Sequence, residues 1–162
     1  MNEISAPTGA QPATLDHAGI AARIPHHGNM CLLHSLVAWS AEHIHCTALS
    51  HQDPANPLRQ GGQLQAPVAL EYASQAMALH GGLSAAPGTP PQPGFLAAAR
   101  SVVLHVADLA TVPGALQVHA TRQAGDDRQA VYQFSLQNEA GQVLVSGRAT
   151  VVLNTPLQAQ GA

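Results

Sequence analysis

Glu71 and His51 are the two side chains best equipped by type and setting for proton transfer. From Pro67 to His80 the chain reads P-V-A-L-E-Y-A-S-Q-A-M-A-L-H, and Glu71 is its only acidic or permanently basic residue. A helix apolar around nearly its whole circumference belongs inside a core. Its carboxyl must then be paired, hydrogen-bonded or kept protonated by a raised pKa. Carboxyls perturbed in that way are candidate catalytic acids or bases. Gln75, one turn later on the same face, is spaced to orient it. His51 stands upstream in S-H-Q-D-P and adds a group that changes charge near neutral pH.

Other chemistries find less support. His43 and His45 share one strand face and His26-His27 is near in sequence, but there is no H-E-x-x-H, no Cys pair and no carboxylate at ligand spacing. No metal is expected. His80-Gly81-Gly82 reads as a helix stop. The chain has 162 residues, ten His, six Arg and no Lys, and a formal net charge of −3. With no basic run and no aromatic interleaving, nucleic acid is not an expected partner. No apolar stretch is long enough to span a bilayer and no signal peptide opens the chain, so a cytoplasmic protein is expected. Cys31 and Cys46 stand alone and read as buried, reduced thiols. Charged residues make up only 9%, and so sparse a charged surface points to burial against another subunit.

Periodicity places these residues on elements. Residues 1–19 read as a leader without periodicity, 20–154 as one domain and 155–162 as a frayed tail. In His43–Ser50, Ile44, Cys46 and Ala48 alternate against polar neighbours as in a strand. Gln52–Gln65 is a loop by its Pro and Gly content, and the apolar helix follows with Pro67 in its first turn. Beyond the loop Ala85–Pro93, four strands follow over Phe95–Val106, from Leu116, from Ala130 and over Val143–Leu153. Short turns join the later ones as antiparallel hairpins. The fold class is α+β: a curved antiparallel sheet wrapped around one long helix. Part of the helix and one sheet edge are left for a second chain to cover.

Several stretches carry a resemblance. Ile24-Pro25-His26 with Cys31-Leu32-Leu33, Ser50-His51 with its following Pro, Leu70-Glu71-Tyr72-Ala73-Ser74-Gln75-Ala76, and Val112-Pro113-Gly114-Ala115-Leu116 together resemble the hotdog-fold β-hydroxyacyl-acyl carrier protein dehydratases of fatty-acid and polyketide synthesis. The S-H-x-D-P-x-N-P-L-R stretch resembles a divergent branch associated with aryl-polyene-type pathways. Three features depart from the common pattern, the first being Asp53 where Phe would follow the histidine. His51 and Glu71 are separated by an unusually long stretch, and Ala66 stands where that family has a glycine whose N–H holds the thioester oxygen.

The resemblance implies dehydration of a 3-hydroxyacyl thioester on acyl carrier protein to the trans-2-enoyl thioester, without a cofactor. His51 is then the base for the C2 proton, and Glu71, kept protonated by burial, the acid for the departing hydroxyl. Ala66 and neighbouring amides at the helix start are the oxyanion donors, and Gln75 orients Glu71. His51 and Glu71 would meet across a dimer interface, each from a different chain, beside an apolar acyl tunnel. Arg59, in the same loop, is the first candidate for docking the acidic carrier protein. Two alternatives stay open: a hotdog acyl thioesterase, with Glu71 activating water, and a carrier-binding partner subunit supporting an active dehydratase in a heterodimer.

Overall fold

The computed structural model describes residues 11–90 and 94–153; the expected tail and the first ten residues of the expected leader lie outside them. The order of elements is α1 (His17–Ala21), β1 (Ser35–Trp39), β2 (His43–Ala48), α2 (Ala69–Ser84), β3 (Gly94–Leu104), β4 (Leu116–Gly125), β5 (Gln129–Gln137) and β6 (Val143–Leu153). The six strands form one antiparallel sheet in the order β1-β2-β4-β5-β6-β3. The alternation of each strand decides which side faces α2. Ile44 and Cys46 of β2, Val118 and Ala120 of β4, Phe134 and Leu136 of β5 and Val145 of β6 are all buried. They belong to one apolar core with Ala69, Tyr72, Ala73, Ala76, Leu79 and Leu83 of α2.

Two local expectations are corrected. Residues 11–19, read as leader, are part of the folded body. Leu15 bridges Leu36, Trp39 Nε1 donates to the Pro12 carbonyl at 2.9 Å, and Asp16 caps α1 through the Gly19 N–H at 2.8 Å. The few apolar residues in this stretch were too scattered to show a period. Gly81 and Gly82 do not stop α2, which runs to Ser84. Two glycines cost a helix about 2 kcal/mol relative to alanine, a sum that burial of Leu83 at 1% exposure offsets to a similar extent.

As the sequence reading expects, the sheet leaves part of α2 uncovered. Leu70, Glu71, Ser74, Ala78, Gly81 and Gly82 form a half-buried stripe along it, at the spacing of one helix face. At the sheet's end β3 has β6 as its only neighbour among the described residues. Phe95, Val103 and Leu104 there are 38%, 47% and 46% exposed, an apolar edge of the kind that isolated chains seldom leave open.

Candidate active site

α2 begins as a single 3-10 turn, Ala66–Val68, with Pro67 inside it, and then presents Glu71 in its first α-helical turn. The side chain of Glu71 is 34% exposed, and its Oε1 lies 3.1 Å from Nε2 of His26. Gln75 Nε2 donates to the same oxygen at 3.2 Å. The hydrogen bond from His26 holds the Glu71 carboxyl below its ordinary value, against burial, which pushes it up; Gln75 adds to the lowering. This corrects the expectation of a buried, protonated acid: in the single chain Glu71 is a carboxylate. Periodicity showed an apolar surround but not a partner contributed from far away in the sequence.

Gln75 is fully buried and does more than orient Glu71. Its Nε2 also donates to the Met30 carbonyl at 2.7 Å, and its Oε1 accepts from the Leu32 N–H at 2.8 Å. It ties the segment carrying His26 to α2. His26 itself was noticed in the sequence only as part of the Ile24-Pro25-His26 motif, and nothing in spacing linked it to Glu71.

His51 sits in a 3-10 turn, Ser50–Gln52, directly after β2 and is completely buried. Its Nε2–H donates to the Val112 carbonyl at 3.0 Å, which fixes the tautomer and leaves Nδ1 as the lone-pair nitrogen. Nδ1 is buried with no hydrogen-bond partner among the described residues. Burial pushes His51 below the ordinary imidazole value, opposed by the Val112 and Gly114 carbonyls and reinforced by the Arg59 charge. The turn that supplies the Val112 carbonyl is itself braced: Gly114 has φ +72°, and a Cβ there would stand 2.4 Å from the Glu139 carboxyl. That carboxyl accepts from the Ala115 N–H at 2.9 Å. His51 and Glu71 share no hydrogen bond within the chain, each being engaged elsewhere.

Two further expectations change. The Ala66 N–H donates to the Ala107 carbonyl at 3.0 Å, so it is not a free oxyanion donor. The loop before α2 is stitched to residues 107–109, a pairing no local pattern reveals. Arg59 is half-buried, and its guanidinium donates to the carbonyls of His51 and Gly62, both at 3.0 Å. It braces the His51 loop rather than standing free for a carrier protein. Asn56 completes that brace, donating to the Ser50 carbonyl and to Tyr72 Oη.

Beside Glu71 and His26 opens a cavity of about 420 Å³, walled by apolar side chains that include Leu70, Met77, Phe95, Leu96 and Val151. His51 is not on this wall. No group of three or more His, Cys, Asp or Glu side chains among the described residues is placed to hold a metal ion. No described helix is long and apolar enough to cross a membrane.

The sheet wrapped around α2, with a carboxylate and an imidazole on an apolar cavity, defines a hotdog-fold protein, and solved structures agree. A chain of the dehydratase heterocomplex ApeI:P from Xenorhabdus doucetiae is similar with a TM-score of 0.71 at 23% identity, over 85% of this chain and 91% of that one. Zebra fish thioesterase superfamily member 2 is similar with a TM-score of 0.60 at 15% identity, over 85% and 92%. A thioesterase of Haemophilus influenzae is similar with a TM-score of 0.56 at 16% identity, over 80% and 82%. At these identities the likeness establishes the fold. No match to a curated protein sequence is significant. The sequence profile described as ApeP-like, ApeP dehydratase, matches residues 18–161, and the chain belongs to that family.

Proposed function

We propose that the chain acts in the dehydration of a 3-hydroxyacyl thioester carried on acyl carrier protein, giving the trans-2-enoyl thioester. The observation that carries this reading is the Glu71 carboxylate on the wall of an apolar cavity, in a chain of a dehydratase family. In the proposed reaction Nδ1 of His51 takes the C2 proton and the electron pair of the C2–H bond becomes the C2=C3 bond. The C3–O bond breaks, and the departing hydroxyl leaves as water with the proton that His51 has just received. One group thus serves as base and then as acid, and no net proton is gained or lost. Glu71 enters as a carboxylate that accepts a hydrogen bond from the 3-hydroxyl and stabilises the transient imidazolium.

His51 and Glu71 meet only if a second chain is present. The uncovered stripe of α2 and the open apolar edge of β3 support such an assembly. The similarity to a chain of a dehydratase heterocomplex supports a second, different hotdog chain as well as a second copy. Purified protein, alone and with a hotdog dehydratase chain, is given 3-hydroxyacyl-carrier substrates. Formation of the enoyl thioester supports the reading, and its absence in both arms ends it.

A second reading draws on the same carboxylate. A Glu71 oxygen able to accept from water suits hydrolysis of the thioester, and thioesterases are among the structural neighbours. Release of free carrier thiol without prior loss of water would favour it.

A further inference from the structure

Both donors that reach Glu71 converge on one atom. His26 Nε2–H and Gln75 Nε2–H share Oε1, and no hydrogen bond among the described residues occupies Oε2. His26 does not come from a loose surface loop. Ile24, two residues before it, is 2% exposed. Further along, Gln75 clamps the Met30 carbonyl and the Leu32 N–H to α2. The far nitrogen of the ring, Nδ1, is buried with no hydrogen-bond partner among the described residues, so no second contact there competes with the one at Glu71.

We propose that His26 is a positioning residue for the reaction: with Gln75 it fixes Oε1 of Glu71 and leaves Oε2 as the atom that receives the substrate's 3-hydroxyl. The substrate in this statement rests on the function proposed above, while the hold on Glu71 does not. An ordinary exposed hydrogen bond to a carboxylate contributes little. This one differs in place, because His26 and Glu71 stand together on the cavity wall, where a small displacement of a reacting oxygen lowers the rate steeply. The imidazole's hydrogen bond is also the foremost cause of the low Glu71 pKa, so the same contact orients the carboxylate and favours its ionised form. The other ionisable groups on that wall are Arg23, Asp127 and Tyr132, and they stay in place in the variants below.

The test follows the glutamate side-chain carboxyl carbons by NMR through a pH titration of the full chain. The Glu71 signal is assigned by its loss in Glu71→Gln. In the native protein its midpoint lies below the ordinary carboxyl value. His26→Leu, which cannot donate, raises that midpoint, and so does His26→Asn, whose amide is too short to reach. His26→Gln restores part of the shift. With substrate, His26→Leu loses about a hundredfold in kcat/KM, mostly in kcat, and His26→Gln recovers part of it. An unmoved midpoint in folded His26→Leu or His26→Asn overturns the proposal, and so does an unchanged kcat. If the native protein turns over no hydroxyacyl substrate either alone or with a hotdog dehydratase chain, the functional reading fails, while the titration still decides whether His26 governs Glu71.

Discussion

Gln75 is a side chain whose removal is costly. Gln75→Ala strands the Leu32 N–H and the Met30 carbonyl in the core, a loss of about 2–4 kcal/mol that a urea titration would measure. His51 predicts a pH effect with a definite sign. A base must be neutral, so kcat/KM should fall toward acid pH as His51 takes up a proton; burial lowers its pKa from the ordinary value in the single chain, and a facing Glu71 carboxylate raises it in the assembled site. A kcat/KM with no acid limb would contradict the assignment. Glu71 was legible because one charge in an apolar run has to be explained, and His51 because of the motif around it. The Glu71–His26 contact and the Ala66–Ala107 hydrogen bond were not, since both join segments some forty residues apart and neither leaves a period in the sequence.

Strands and the central helix were easier to read than their ends. Alternation along β2, β4 and β5 and the apolar length of α2 follow directly from which faces must be buried. The end of α2 was misread because glycine's local preference was outweighed by burial of Leu83, a tertiary effect. On the outer face of β2 and β4, His43, His45 and His119 stack, with ring centroids of His45 and His119 4.1 Å apart. Burial, then the neighbouring His45 and His43, bring His119 down to about 4 from 6.5. Its folded pKa lies below its unfolded one. The stability it contributes is therefore complete above pH 6.5 and is lost as pH falls toward 4. His119→Gln should flatten the decline of the urea midpoint between pH 6.5 and 4, and an equally steep decline would contradict this.

For the whole molecule, the proposed function requires an assembly. Sparse charge in the sequence pointed that way, and the open edge of β3 with the half-buried stripe of α2 gives the idea a location. Replacing Val103 and Leu104 together by Lys should shift the assembly toward single chains in sedimentation while leaving the fold intact. If the partner is a second copy, mixing His51→Ala chains with Glu71→Gln chains should recover turnover that neither has alone, because one mixed site keeps both native groups. Which partner covers the edge was not legible, since a strand edge offers any chain the same backbone donors and acceptors.

The most direct measurement is the intact mass of a carrier protein loaded with a 3-hydroxyacyl group, followed over time with this chain and a partner hotdog chain. The account predicts loss of one water from the acyl group with the thioester preserved, abolished by His51→Ala and by Glu71→Gln. Release of the unloaded carrier with no dehydrated intermediate, or water loss that survives both substitutions, would contradict it.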